Sequence, residues 1–211
     1  WVSLVQSGRN DFVAANTLVD AMNPTNDPRL ASFFNLYEGA YVGGTYGNAN
    51  GAGSNSNLSD LMKTPDLKGD LITAAEVHFL LSEAAARGYF VGGTEEAYYA
   101  SAIEVSMDEW GVSSADTATY LALPEVAYAT AAGDWKQKIG SQKWIAMFNN
   151  GYEGWTAWRL LDLGLEGPVV DGVTLDIPTR FLYPTSEATL NGSQYDSAAS
   201  AIGGDTKTTK I

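Results

Sequence analysis

Thr73-Ala-Ala-Glu76-Val77-His78-Phe79-Leu80-Leu81-Ser82-Glu83-Ala84-Ala-Ala-Arg87-Gly88 is the stretch whose reading decides the fold. Thr73 and Glu76 stand at capping-box spacing: the threonine hydroxyl accepts from the amide three residues on, and the glutamate carboxylate reaches back. Val77, Leu80, Leu81 and Ala84 recur at helical spacing and form the expected apolar stripe, with Gly88 as the left-handed stop. Thr94 caps a second helix that carries Tyr99, Ile103, Met107 and Trp110 before Gly111 closes it. A link of about half a dozen residues joins antiparallel neighbours. Residues 73–110 therefore read as a helical hairpin with Leu80, Leu81, Ala84 and Ile103 buried.

Working upstream, Asn10 to Met22 shows Phe12, Ala15, Leu18, Val19 and Met22 at helical spacing. Pro24 and Pro28 end that helix, and Asn26-Asp27-Pro28-Arg29 reads as a turn that opens a new element. Leu30 to Tyr41 is aromatic-rich and weakly periodic, a short strand or irregular chain. Gly43 to Ser59 is almost wholly Gly, Asn, Ser and Ala with single tyrosines, and a loop of that length is usually functional or mobile. Downstream, Ser114 caps a short helix ending near Pro124. Asp134 caps another with Trp135, Ile139, Ile145 and Phe148, and Tyr152 to Leu161 makes a fifth. Past Gly164 periodicity fails, Ile177-Pro178 and Tyr183-Pro184 force extended backbone, and Ser193 to Ile202 forms a last helix stopped by Gly203-Gly204. The fold class is mainly α, built of helical hairpins of tetratricopeptide-like layout with long irregular loops, although no 34-residue period shows in the side chains.

Composition narrows the function. The 211 residues are 45% hydrophobic and include 6 Trp, 11 Tyr and 7 Phe, enough apolar surface for a folded domain. Twelve Lys+Arg against 25 Asp+Glu give a charge of −13, whose field repels a phosphate backbone and excludes nucleic acid as a partner. No apolar run approaches the roughly 18 residues that span a bilayer. Zero cysteines exclude disulfides, thiol catalysis and Cys-held metals, and a single histidine excludes a His-pair zinc site. The chain opens on Trp1 and stops at Lys210-Ile211 within a polar stretch, as a mature or proteolysed fragment would.

No catalytic constellation emerges. His78 lies off the apolar stripe with no nucleophile motif beside it and reads as a packed or surface side chain. Asp108-Glu109 or Asp171 with Asp176 could in principle form a glycosidase pair, but sequence gives no through-space separation, and carboxylates on an acidic protein are mostly solvated surface. Asp60 and the Asn-rich loop offer oxygen ligands at no EF-hand spacing, and Gly43-Gly44 lacks a phosphate-loop lysine, so neither metal nor cofactor is assigned. Trp135, Trp144, Trp155 and Trp158 sit at helical spacings that favour an interhelical core. Tyr37, Tyr41 and Tyr46 flank or occupy the Gly/Asn loop. There a ring can stack on a sugar while Asn48 and Asn50 hydrogen-bond its hydroxyls. Packing beneath the loop fits the composition equally.

Several motifs carry a resemblance: Ala75-Glu76 through Gly88-Tyr89, Glu96-Ala97-Tyr98-Tyr99, Gln142-Lys143-Trp144-Ile145-Ala146, and Asn150-Gly151-Tyr152-Glu153-Gly154-Trp155-Thr-Ala-Trp158-Arg159. Asn26-Asp27-Pro28-Arg29-Leu30 precedes them, and Ile177-Pro178-Thr-Arg180 with Gly203-Gly204-Asp205-Thr206 follows. Together they resemble the SusD/RagB-like nutrient-binding lipoproteins. The resemblance implies residues 1–211 as the C-terminal portion of a SusD-like domain, the family's N-terminal half being absent. It implies an outer-membrane, cell-surface protein, lipid-anchored outside this chain, that binds glycan or oligopeptide nutrients for a SusC-like TonB-dependent transporter. It implies no catalysis; the alternative is a glycoside hydrolase or lyase using an Asp/Glu pair. The family's ligand residues sit on variable loops, so Tyr37, Tyr41, Tyr46, Asn48 and Asn50 stand as the expected ligand contacts. Glu153, Trp155, Trp158 and Arg159 are expected to support the fold, their aromatics packing and their charges pairing.

Overall fold

The computed structural model describes residues 12–51 and 53–209, which divide into two units, Trp1–Leu165 and Glu166–Ile211. The first unit is helical: α1 (Asn16–Met22), α2 (Leu30–Phe33), α3 (Ala74–Ala86), α4 (Glu95–Glu109), α5 (Ser114–Leu121), α6 (Trp135–Ala146) and α7 (Gly151–Leu161). The expected N-caps of α3, α4 and α6 are in place. The hydroxyls of Thr73 and Thr94 accept from the amides of Glu76 and Ala97, each at 3.1 Å. Asp134 and Gln137 make a complete capping box at the start of α6. Gly88 and Gly111 take left-handed φ of 88° and 74° after α3 and α4. The third cap is Ser113, one residue before the expected Ser114, and α5 stops at Leu121.

The hairpin is antiparallel, because both of its ends are tied. Ser82 near the end of α3 donates to the carbonyl of Glu95 at the start of α4 (2.7 Å), and Glu109 at the end of α4 lies against the first residues of α3. The buried face of α3 is not the expected one. Ala75, Glu76, Phe79, Ser82 and Glu83 face inward, while Val77 and Leu80 are 41% and 43% exposed and Leu81 and Ala84 are only partly buried. The reason is close packing: Ala75 and Ser82 let α4 approach, and Phe79 fills the seam, while Glu76 and Glu83 each keep one buried carboxylate oxygen without a hydrogen bond among the described residues. Glu83 takes Arg87 Nε at 2.9 Å, and that guanidinium lies over Trp135 at 5.1 Å. Ile103, with Tyr99 and Met107, is buried as expected. His78 packs beside Tyr98, ring centroids 6.2 Å apart.

Two clusters form the core of this unit. One gathers Phe79, Tyr99, Ile103, Met107, Tyr120 and Ile139 between α3 and α6. The other gathers Val19, Met22, Leu30, Phe33 and Phe34 around Ile145, with Phe148 stacked on Phe33 at 4.1 Å. The helix expected from Asn10 begins at Asn16. Val13 and Ala15 are instead paired in extended bridges to Asn57 and Gly44, and Asn10 lies outside the described residues. Leu30 to Phe33 is a single helical turn, and the chain after it is extended. Trp144 and Trp158 meet edge-on at 5.8 Å, and Arg159 covers Trp155 at 4.5 Å, so the aromatics of α7 pack as expected, though Trp158 is partly rather than fully buried. Glu76 is buried against Glu153 and Lys143: burial and then the charge of Glu153 raise its carboxyl above the ordinary value, and Lys143 opposes them.

Where the two clusters meet, Arg29 is fully buried. Asp27 takes its Nε at 2.9 Å and its Nη2 at 2.6 Å; Gln142 Oε1 takes Nη2 at 2.9 Å and Ser106 Oγ takes Nη1 at 3.1 Å. Gln142 passes its own amide proton to Tyr120 Oη at 2.9 Å. Burial is the largest single influence and works against the guanidinium charge, but Asp27 and Tyr120 together hold Arg29 above its ordinary pKa.

The second unit holds a two-stranded hairpin, β1 (Val169–Val170) and β2 (Val173–Thr174), then α8 (Thr185–Leu190) and α9 (Gly192–Ala201). The hairpin turn is Asp171-Gly172, both at positive φ (50° and 78°), which matches the right-handed twist of the strands. Neither hairpin nor α8 is expected from the lost periodicity, and Asp171, a candidate catalytic carboxylate, is here a turn residue. The closing latch is Arg180 with Asp205, an ion pair whose side chains are 8% and 9% exposed. Asp205 also accepts from the Tyr183 amide and the Tyr195 hydroxyl, each at 3.2 Å. The hydrogen bond from Arg180 outweighs burial and holds the Asp205 carboxyl below its ordinary value.

Two expectations follow. Asp27→Ala strands a buried guanidinium and should cost about 3–5 kcal/mol in urea unfolding, whereas replacing Asp27 and Arg29 together by Leu and Met should recover most of it; a single-variant loss under about 0.5 kcal/mol contradicts this. Because the Asp205 pKa is lowered in the folded state, its stabilisation is present above the ordinary carboxylate range and lost as pH falls through the folded value. Amide exchange in residues 179–207 should therefore accelerate on acidification from about pH 5 to about pH 2. Asp205→Asn should flatten that dependence, and an unchanged slope in the variant refutes the assignment.

Candidate functional site

The first unit carries a groove of about 640 Å³. Three stretches distant in sequence wall it: residues 61–74 ahead of α3, the end of α4 at Glu109 and Trp110, and the end of α6 with its following turn at Ala146, Met147, Asn149 and Asn150. Trp110 is fixed from behind, its ring edge-on to Phe33 at 4.7 Å, and its backbone carbonyl accepts from Ser32 Oγ at 2.7 Å. Leu61, Leu67, Ile72 and Met147 add apolar lining. Thr64, Asp66, Asp70, Asn149 and Asn150 add polar atoms, and Lys68 is the basic residue among them. Asn149 Nδ2 reaches the Lys68 carbonyl at 3.4 Å and Asn150 Oδ1 caps α7, so the two asparagines also brace the walls.

Glu109 has two roles here. Burial raises its carboxyl, the amides of Ala75 and Ala74 at the start of α3 pull it down, and the charges of Asp70 and Asp108 push it up again; the net shift is upward. The carboxylate faces the N-terminus of α3 and places negative charge beside Asp70 in the groove. The lining thus offers mostly acceptors on a partly apolar bed. That suits a neutral ligand with many hydroxyls, whose donors meet carboxylates and whose C–H faces meet Trp110 and the aliphatic side chains. Among the described residues, no group of three or more His, Asp or Glu side chains could hold a metal ion.

The Gly/Asn loop is clasped rather than loose. The amides of Ala14, Asn16 and Gly44 bond Ser56, Gly44 and Ala14 carbonyls, each at 2.8 Å, and Ser56 is fully buried with its hydroxyl taking the Val42 amide. A Cβ on Gly43 would stand 2.3 Å from Asn16 Cα, which is why glycine is required there. Tyr41 is partly buried against the second core cluster, and burial raises its pKa. Tyr37 is also partly buried, at a bridge to Ala40. Asn50 commits its whole amide to the loop, donating to the carbonyls of Thr45 and Asn48 and accepting from the Thr45 amide, each at 2.9 Å. Tyr46, 40% exposed, and the exposed Asn48 stand outward at the tip. Asp60 lies 3.8 Å from Lys63. Trp110 and Glu109 are the residues that sequence reasoning placed in the core or on the surface; the only sequence sign of their position is their place at the end of a helix, just before a glycine stop.

Comparison with known proteins gives a consistent result. The family described as SusD-like, starch-binding associating with outer membrane, matches residues 1–184. No curated protein matches the chain. Among solved structures, a SusD homologue from Bacteroides uniformis superposes with a TM-score of 0.76 at 24% identity, over 93% of this chain and 48% of that one. A SusD-like protein from Bacteroidetes gives 0.75 at 22%, over 93% and 52%. A chitin-binding SusD homologue from Flavobacterium johnsoniae gives 0.70 at 24%, over 100% and 51%. These likenesses show the fold, and the chain spans about half the length of each structure.

Proposed function

The chain belongs to the SusD-like family of starch-binding proteins associating with the outer membrane, and we propose that it binds a neutral glycan in the groove beside Trp110, without chemical turnover. The observation that carries this reading is the lining: an anchored tryptophan, an aliphatic bed and a row of carboxylate and amide acceptors in one cavity. The chitin-binding relative supports a glycan over a peptide. The acidic lining and the overall charge of −13 disfavour anionic glycans. Tyr46 and Asn48 at the loop tip are proposed as further contacts; Tyr37, Tyr41 and Asn50 support the loop from within. The bound glycan is handed to a SusC-like TonB-dependent transporter at the cell surface, where a lipid anchor outside this chain holds the protein. No helix among the described residues is long and apolar enough to cross a membrane.

The hydrolase reading keeps one observation in its favour, the raised carboxyl of Glu109 close to Asp70. The neighbouring N-terminus of α3 opposes that reading, because its amides draw the carboxyl back towards the ionised form.

Calorimetric titration of the intact protein with malto- and chito-oligosaccharides tests the proposal. Trp110→Ala should weaken binding at least about tenfold, the size of one aromatic anchor. Since Trp110 also packs on Phe33, the exposed pair Asp66→Ala/Asp70→Ala is the cleaner probe and should weaken binding by a similar factor with unfolding unchanged. Unaltered affinity in that pair removes the groove from the site, and unaltered affinity in Tyr46→Ala removes the loop tip. Release of shorter glycan that Glu109→Gln abolishes would replace the binding reading with the enzymatic one.

A further inference from the structure

The turn between α3 and α4 presents two large rings to solvent: Phe90 is 97% exposed and Tyr89 68%. Isolated exposed apolar groups are ordinary, but two adjacent rings on a rigid turn above a cavity are not. The turn is held at several points. Gly88 and Gly92 take φ of 88° and 82°, the Tyr89 amide bonds the Ala84 carbonyl at 3.0 Å, and Tyr98 Oη donates to the Val91 carbonyl at 2.6 Å. Gly93 lies so close to the Tyr98 ring that a Cβ there would stand 2.8 Å from it. The rings are therefore presented by backbone that has little freedom left to lose on binding.

A shallow cavity of about 570 Å³ lies at this turn, with Ala85, Gly88 and Gly93 as small lining residues and Glu95, Glu96 and Tyr128 as polar ones. Tyr128 is held at its ring by the Lys138 ammonium, 5.2 Å from the centroid, and its buried hydroxyl faces Glu95. Carboxylates beside exposed rings form the donor-seeking, ring-stacking chemistry of a sugar site. A protein partner fits poorly: two rings supply about 300–500 Å² of aromatic surface, against about 800 Å² that each side of a stable interface buries. The site is separate from the Trp110 groove. That groove is at the start of α3 and this cavity at its end, about 20 Å away at 1.5 Å per residue.

We infer that the α3–α4 turn is a second carbohydrate platform, on which a neutral sugar ring stacks against Tyr89 and Phe90 and donates hydroxyls to Glu95 and Glu96. The inference rests on the glycan reading of this chain. A shallow platform holds a short oligosaccharide weakly. Its contribution appears on a polymer, where a ligand already engaged elsewhere presents neighbouring sugars at high local concentration.

Affinity electrophoresis of the intact protein through gels containing soluble starch or glycol chitin distinguishes the outcomes. Tyr89→Ala/Phe90→Ala removes only exposed side chains and should keep the unfolding midpoint and the affinity for short oligosaccharides. Its retardation by at least one polymer should fall about tenfold, while Phe90→Trp keeps the retardation of the natural protein. Retardation equal to that of the natural protein in the double variant overturns the platform and leaves the groove reading standing. Equal loss on the polymer and on short oligosaccharides also overturns it, because the effect would then reach the groove. No retardation or titration of the natural protein with any of these glycans overturns the glycan reading, and the platform with it.

Discussion

A guanidinium cannot be left half-satisfied in a protein interior, and the buried Arg29 imposes that condition on much of the first unit. Its donors must meet Asp27, Ser106 and Gln142 together. Those partners come from the turn after α1, from α4 and from α6, so one side chain fixes the turn against two helices separated by long stretches of chain. Tyr120 of α5 joins through Gln142, and burial with the charge of Asp27 pushes its pKa up to about 12. The aromatic layer of Phe33, Phe148 and Trp110 is assembled next to this point, and the position of Trp110 is the position of the groove wall. The arrangement serves specificity of packing more than net stability, since a well-packed apolar replacement of such a pair is often as stable.

The groove then follows from how the hairpin ends. At the start of α3 the orphan amides need acceptors; the Thr73 hydroxyl takes one of them, and the Glu109 carboxylate lies against the same helix end. The same carboxylate that faces the N-terminus of α3 makes the cavity acidic, so the field of a helix end and the preference for a ligand meet at one group. At the other end of the hairpin the glycines and Tyr98 hold a tight turn whose side chains have no interior to enter. Both ends of one helix are therefore chemically marked, while its middle is occupied by packing.

The sequence made the punctuation of this fold legible and the facing of its helices less so. Thr73, Thr94, Asp134, Gly88 and Gly111 act locally, within a turn of chain, and each does what its residue type dictates. The inward face of α3 depends on which neighbour comes close, and that neighbour needs small residues; Ala75 and Ser82 are buried ahead of Val77 and Leu80 although they are less hydrophobic. Asp171-Gly172 is a hairpin signal two residues long, easily lost in a region without periodicity. For the site, Tyr46 and Asn48 are exposed, whereas Tyr41 and Asn50 are held by contacts that only folding brings together. The groove has no sequence signature at all, because concavity here belongs to three stretches that meet only in space.

The clasp on the Gly/Asn loop divides that loop into parts with different tolerance for change. Gly43, Gly44 and Ser56 are pinned by backbone ladders and close approach, and a side chain or an extra residue there disturbs the chain at Asn16. The tip from Thr45 to Asn50 closes on itself through the Asn50 amide and meets the ladder beneath at one further point, the Tyr46 amide donating to Asn16 Oδ1 at 2.8 Å. Between those fixed points the exposed side chains of Tyr46 and Asn48 are free to drift between descendants of this protein without a cost to the framework. The fold thereby carries an exchangeable cassette at its surface, on which new preferences can be tried while the scaffold is inherited unchanged.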